Sequence, residues 1–124
     1  MAPHGRTERK AIALQVADTL DSYEAAVDAW LVEPGNLVLY QKLSSQIEVV
    51  RTMSSNGLPS ATGALADLLL AHTDLTFIVL KKHLVKRGGP ADSHDQLAQA
   101  KKRLNFTLTE MRALCIRLST RRIP

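Results

Sequence analysis

Three short segments rich in glycine and proline divide this chain of 124 residues into four long stretches. Proline restricts the residue before it and glycine permits a positive φ, so each such segment predicts a break between two regular elements. Between the breaks, apolar residues recur every three or four positions, which predicts helices rather than strands. The predicted helices span approximately residues 7–32, 36–55, 60–87 and 93–121, and a chain of this length is expected to form a single domain.

The residues at the breaks also predict how individual helices begin and end. Gly57 is expected to end the second helix as a C-terminal glycine, and Ser60 is expected to cap the third. The segment Gly88-Gly89-Pro90 ends the third helix, after which Ser93 and Gln96 have the spacing of a capping box. Because connections this short force neighbouring helices to run in opposite directions, we predict an all-α, antiparallel, up-down-up-down four-helix bundle.

In three of the predicted helices the apolar residues form a single stripe, the pattern of a helix with one buried side. Aromatic residues make up 4% of the chain, so leucine, alanine and valine are expected to fill most of the core. The predicted core positions are Val16, Leu20, Tyr23, Val27 and Trp30 in the first helix, Leu39, Leu43, Ile47, Val50 and Met53 in the second, and Leu97, Ala100, Leu104, Leu108, Met111, Cys115 and Leu118 in the fourth.

The third predicted helix differs from the others because it is apolar on two faces. The strip that remains for water is narrow, with Asp67, Asp74 and Lys81 at seven-residue spacing. Such a helix is either buried on more than one side within the chain or forms a subunit interface, and both interpretations stay open. One face comprises Ala66, Leu69, Leu70, Thr73, Phe77, Leu80 and Leu84, and the other comprises Leu65, Leu68, Leu75 and Val79.

Three features of the sequence bear on where the protein works. The stretch from Ala61 to Leu80 is long enough to span a bilayer, but Asp67, His72 and Asp74 would be costly there, so we expect no membrane span. The N-terminus lacks the apolar region of a signal peptide. Cys115 is the one cysteine, so no intrachain disulfide can form, which is typical of a reducing compartment. We therefore expect a cytoplasmic protein.

The residues that carry catalysis in other helical bundles do not form a constellation here. A di-metal centre needs Glu-x-x-His pairs, and no Glu is followed three positions later by His. His72 and His83 are three helical turns apart, roughly 16 Å, which is too far for one metal ion. Each imidazole is instead expected to bond a carbonyl or a threonine at the edge of the core. Since Cys115 lies in a core stripe, we predict no enzymatic activity, no cofactor and no metal.

The net charge of +4 is unevenly divided along the chain. Residues 1–59 hold five Lys/Arg against seven Asp/Glu, a net charge of −2, whereas residues 60–124 hold eleven against five, a net charge of +6. This polarity predicts, first, an attraction between the two halves of one molecule. The alternative is that the basic half binds an acidic partner.

Basic residues gather where the third predicted helix ends and the fourth begins. The negative end of the helix dipole accounts for those in the last turn of the third helix but not for those within the fourth. The cluster is therefore an alternative binding site for nucleic acid or another acidic partner. Single-strand recognition is poorly supported, because Phe106 alone is close enough for base stacking. The candidate binding residues are Lys81, Lys82, Lys86, Arg87, Lys101, Lys102 and Arg103.

The six residues His83–Gly88 resemble part of the motif of histidine phosphotransfer domains, which are also four-helix bundles. That motif places a lysine three residues and a glycine four residues after an exposed histidine. Lys86 has the first spacing, but Arg87 occupies the second, and Gly88 is better placed to end the helix. The resemblance implies phosphotransfer through an exposed His83, and it is too short to assign the chain to that family.

Taken together, the sequence predicts a small non-enzymatic interaction protein, such as an adaptor, regulator or chaperone, that acts through helix faces. A protein partner is expected, and a second copy of the chain, bound through the third helix to form a homodimer, is one candidate. Binding of an acidic partner through residues 81–103 and phosphotransfer through His83 are the alternatives.

Overall fold

The structure is a computed structural model that describes the backbone of residues 3–84 and 92–120 and the side chains of residues 9–83 and 95–119. Within these ranges the chain is helical except at the breaks between helices and has no β-strand, which confirms the prediction of an all-α protein. The elements in order are α1 (Pro3–Val32), α2 (Leu37–Gly57), a short 3₁₀ turn (Pro59–Ala61), α3 (Thr62–Leu84) and α4 (Asp92–Thr120).

Some sequence-based expectations fall outside these ranges. They concern the break at Gly88-Gly89-Pro90, the predicted extension of the third helix to residue 87, and that of the fourth to residue 121. The side chains of Leu84, Lys86, Arg87 and Ser93 also lie outside the described residues.

The first break is held by side-chain hydrogen bonds to the backbone. Asn36 is the N-cap of α2, and its side-chain oxygen accepts hydrogen bonds from the backbone N–H groups of Val38 and Leu39, at 3.0 and 3.3 Å. The indole N–H of Trp30, near the end of α1, donates to the carbonyl oxygen of Pro34 at 3.1 Å. These bonds satisfy donors that the helix cannot pair by itself and fix the turn between α1 and α2.

The second break differs from the sequence prediction in two respects. α2 ends at Gly57, but this glycine does not have a positive φ. A Cβ atom at Gly57 would overlap the side chain of Ile12 in α1, so the absence of a side chain permits the two helices to approach closely. Ser60 is not the N-cap of α3, because it lies inside the 3₁₀ turn Pro59–Ala61 and α3 begins at Thr62.

The core is built mainly from the stripes that the sequence predicts. α1 packs along α2 and α4, α3 packs along α4, and α2 meets α3 over a smaller region. Leu58 and Ala61, from the break between α2 and α3, are also buried, which the sequence analysis missed. All five predicted α1 positions are buried, as are Leu43, Ile47 and Val50 of α2 and Ala100, Leu104, Leu108, Met111 and Cys115 of α4, whereas Leu39, Met53, Leu97 and Leu118 are partly buried.

Candidate interaction surface

α3 buries one of its two apolar faces and leaves the other at the surface. The buried face packs into the core between the other helices. This face is therefore part of the core and does not contribute to the apolar surface that α3 exposes to water. Its predicted members are Leu65, Leu68, Leu75 and Val79, each at most 6% exposed.

The opposite side of α3 carries Ala66, Leu70, Thr73 and Phe77, which we call the outer face of α3. The Leu70 side chain is 66% exposed and the Phe77 side chain 65% exposed, and Ala66 and Thr73 are exposed as well. Burial of both faces within the chain, one of the two interpretations left open by the sequence, is therefore wrong. The helix turns a second apolar face outward because no other described helix covers it.

The spacing of the outer face aligns its residues on one line. Steps of four, three and four residues from Ala66 to Phe77 are those of a coiled-coil seam. Leu70 and Phe77 are seven residues apart, about 10.5 Å along the helix. The other large exposed apolar residues in the described part of the chain are distributed over the other three helices, α1, α2 and α4. They are Leu14, Val32, Leu37, Val38, Val49, Phe106 and Ile116.

One of these residues adjoins α3. Phe106 of α4 is 64% exposed and lines a shallow depression between α3 and α4 together with Ala64 and Asp67. The depression also includes Glu110 and Arg117, so its rim is polar. One exposed aromatic ring thus lies beside α3, near Asp67, on the neighbouring helix.

Charged side chains flank one edge of the outer face. Asp67, Asp74 and Lys81 are exposed and lie seven residues apart, so they share one side of the helix. Asp74 forms an ion pair with Arg103 of α4, with 3.1 Å between Oδ2 and the guanidinium nitrogen. Among the described side chains, neither Asp67 nor Lys81 has an ion-pair partner.

Two members of the predicted basic cluster pair with carboxylates of the same chain. The Lys101 ammonium group lies 3.0 Å from Oδ1 of Asp28 in α1, whereas Arg103 reaches Asp74 in α3. Lys102, between them, is exposed. Two of the three cations in this run therefore have partners on different helices of the same chain.

The remaining predicted binding residues lie near the end of α3. Lys81 is exposed and Lys82 is half-buried. Lys86 and Arg87 lie outside the described residues, so their part in a basic surface stays a prediction.

Arg112 of α4 is a bridging residue that the sequence analysis missed. Its guanidinium group donates hydrogen bonds to Oδ1 of Asp21, at 3.0 Å, and to Glu24, both in α1. Burial acts against the charge of Arg112, but the hydrogen bonds and charges of Glu24 and Asp21 outweigh it and raise the pKa. The uneven charge of the two halves was the signal for this contact, but it could not identify the residues.

The two histidines of α3 have different surroundings. Nδ1 of His72 lies 2.6 Å from the hydroxyl oxygen of Tyr23, which is fully buried in α1. Burial lowers the pKa of His72 and raises that of Tyr23, so both groups are neutral near pH 7. The partner of His72 is thus a tyrosine rather than the carbonyl or threonine that we expected.

His83 is half-buried, and its ring lies against the turn between α1 and α2. A Cβ atom built on Gly35 would be 3.1 Å from Nε2 of His83. This packing does not provide the freely exposed imidazole that the phosphotransfer motif requires.

The other groups considered for chemistry lie in the core or apart from one another. Burial raises the pKa of the Cys115 thiol to about 11, which disfavours the reactive thiolate. Within the described ranges, no group of three or more His, Cys, Asp or Glu residues is placed to hold a metal ion. The hydroxyl of Ser54 is buried in α2 without a hydrogen-bond partner in the same part of the chain.

The stretch Pro59–His83, which contains α3, is long and apolar enough to cross a membrane when judged by length and composition only. A core helix of a soluble protein satisfies the same criterion, so the stretch by itself does not distinguish the two. Comparisons of the chain with models of protein families, with characterised proteins and with solved structures gave no match.

Proposed function

We propose that this protein is a small non-enzymatic interaction protein with an antiparallel, up-down-up-down four-helix bundle, and that the outer face of α3 binds its protein partner. The exposure of Leu70 and Phe77, about two-thirds each, carries the proposal. Burying a large apolar side chain contributes about 1.5–3 kcal/mol. A helix that aligns two such side chains in water, opposite a face that is already buried, is typical of an interaction surface.

The antiparallel arrangement is supported by the ion pairs between helices. Arg112 pairs with Asp21, and Lys101 pairs with Asp28, so residue numbers fall along α4 as they rise along α1. The turn between α1 and α2 is short, and Trp30 of α1 packs on Tyr40 of α2 with ring centroids 5.4 Å apart. Short turns of this kind favour neighbouring helices that run in opposite directions.

The outer face of α3 is favoured over the basic end for a physical reason. A nucleic-acid surface needs cations that are free to replace the counterions of phosphate groups. Lys101 and Arg103 instead lie within 3.1 Å of carboxylates in their own chain. Ion pairs between helices therefore explain in part why α4 carries cations at Lys101 and Arg103. No contact among the described residues explains why Leu70 and Phe77 are exposed to water.

Photocrosslinking inside the cells that naturally produce the protein tests the proposal. A photoreactive phenylalanine analogue in place of Phe77 is expected to give a covalent product with a protein, which mass spectrometry then identifies. The matched control carries the analogue in place of Val38, which is 70% exposed on α2. The Leu70→Ser substitution is expected to abolish the product formed at position 77. Equal labelling at both positions, or none at position 77, would remove the basis of the proposal.

A further inference from the structure

We infer that the partner of the outer face of α3 is a second copy of this chain, bound antiparallel to the first about a two-fold axis near Thr73 and Asp74. The inference rests on the proposed function, because it names the partner of that surface. It is carried by two features together, the positions of the large apolar residues and the order of the charges beside them.

The apolar positions are self-complementary in an antiparallel pair. In a two-fold interface, if residue i contacts residue j, then j contacts i. An axis between Thr73 and Asp74 places Leu70 of one copy opposite Phe77 of the other, and the same contact occurs twice. Ala66, the smallest residue of the outer face, then lies within one residue, about 1.5 Å along the helix, of the level of the half-buried Leu80. Each large exposed side chain is covered by the other.

The charges beside the apolar positions follow the same symmetry. A two-fold axis perpendicular to an antiparallel pair brings the same flank of both helices to the same side. The flank that carries Asp67, Asp74 and Lys81 therefore meets its own copy, and Asp67 lies within one residue, about 1.5 Å along the helix, of the level of the second copy's Lys81. Both residues are exposed and have no ion-pair partner among the described side chains. The dimer supplies two such pairs.

A parallel dimer does not provide this complementarity. In a parallel dimer the charged flank of one copy would meet the opposite, uncharged edge of the outer face of the second copy. That edge carries Leu69, Thr76 and His83. Flanking charges determine partner and orientation in coiled coils, and the order acidic, acidic, basic on one flank specifies the antiparallel orientation.

Asp74 lies close to the proposed axis, where it approaches its own copy. Two carboxylates in such proximity repel each other unless a cation neutralises them. Arg103 of the same chain already supplies that cation, at 3.1 Å from the Asp74 carboxylate. The Asp74–Arg103 pair thus reduces the repulsion between the two Asp74 carboxylates.

A lipid surface fits the same helix less well. Asp67 and Asp74 lie beside Leu70 and Phe77, so insertion of the outer face into a bilayer would bring two carboxylates towards the hydrocarbon region. In the proposed dimer, the carboxylate of Asp67 is near the second copy's Lys81, and the carboxylate of Asp74 pairs with Arg103 of its own chain.

Sedimentation of the full chain at micromolar concentrations is the first measurement. We expect a dimer of twice 13.6 kDa that dissociates on dilution. The substitution Leu70→Ser should shift the protein to monomer, whereas Val38→Ser, at an equally exposed apolar position of α2, should not. Far-UV circular dichroism checks that both variants remain helical.

Charge exchange tests the register. Asp67→Lys alone, or Lys81→Asp alone, places like charges opposite each other in both pairs and should weaken dimerisation about tenfold or more. The double variant Asp67→Lys, Lys81→Asp should recover it. A mixture of the two single variants should form a heterodimer at a concentration where each alone is monomeric, because both pairs become attractive. Asp18→Lys, on the exposed side of α1, is the charge control.

The outcomes separate this inference from the proposed function. A dimer that the single charge variants leave unchanged would overturn the antiparallel register. A strict monomer whose position 77 crosslinks a different protein would overturn the second copy as partner and leave the proposed function standing. Co-sedimentation of a monomeric chain with vesicles containing phosphatidylserine, lost in Leu70→Ser, would overturn both in favour of a lipid surface.

Discussion

The hydroxyl oxygen of Tyr23 in α1 lies 2.6 Å from Nδ1 of His72 in α3, and the two rings are tilted by 54° with their centroids 5.5 Å apart. The bond joins two helices that otherwise pack along α2 and α4 rather than along each other. Because burial favours the neutral form of both groups, the bond joins two uncharged side chains, and the imidazole tautomer determines which of them donates. The contact lies on the buried side of α3, opposite the outer face.

We predict that Tyr23→Phe destabilises the protein by about 1 kcal/mol, because it leaves Nδ1 of His72 without its hydrogen-bond partner. The change removes one oxygen and leaves the aromatic packing of a fully buried ring in place. Urea unfolding followed by circular dichroism measures the difference. Tyr40→Phe, on the partly buried ring that packs on Trp30, is the matched control and should change stability by less.

The same contact predicts a loss of stability in mild acid. Burial lowers the pKa of His72 below its ordinary value of 6.5, whereas unfolding restores that value. Between the lowered pKa and 6.5 the unfolded chain binds more protons, so stability is complete above this range and is lost as the pH falls through the folded-state pKa.

We therefore expect the urea midpoint to decrease as the pH is lowered from about 7.5 to about 5. His72→Gln should reduce that decrease, while His83→Gln on the same helix should retain it. An unchanged pH profile in His72→Gln would show that other groups govern the acid transition.

Ser54 offers a stabilising substitution. Its hydroxyl is buried in α2 without a hydrogen-bond partner among the described residues, and burying such a group costs free energy. Ser54→Ala should raise the free energy of unfolding by about 1 kcal/mol. Ser45→Ala, at an exposed position of the same helix, measures the gain in helix propensity alone. If Ser54→Ala raises the free energy of unfolding no more than Ser45→Ala does, the unpaired hydroxyl of Ser54 does not destabilise the protein.

Two glycines are predicted to respond to alanine with opposite signs. Gly57→Ala should destabilise the protein by about 1–3 kcal/mol, because the new methyl group would overlap Ile12. Gly63→Ala, in the first turn of α3, adds a methyl group that contacts no atom beyond its own turn of the helix, and should stabilise the protein by about 0.5–1 kcal/mol. Thermal unfolding compares the two, and Ile12→Ala should relieve part of the Gly57→Ala defect.

The helical periodicity was sufficient to identify most of the core. The stripes of α1, α2 and α4 follow from spacing alone, because a residue every three or four positions must lie on one side of a helix. The residue types at the breaks were less informative about how the helices end and begin. Ser60 has the right side chain for a cap, yet a 3₁₀ turn intervenes, and Gly57 serves a contact with Ile12 that is 45 positions away in the sequence.

The candidate surface was visible in the sequence only as an ambiguity. Composition showed that α3 has two apolar faces, but two faces of one helix are equivalent until the neighbouring helices are placed. The same holds for the cations of α4, whose charges were evident and whose carboxylate partners were not.

By itself, the sequence determined that the chain forms helices, where they break, and which side of three of them is apolar, since these properties depend on spacing within a few residues. The tertiary structure alone decided that Leu70 and Phe77 face water while Leu68 and Leu75 do not, and that Arg112 meets Asp21 and Glu24. The physical reason is that burial and ion pairing depend on distances between helices. Those distances follow from the packing of all the side chains together.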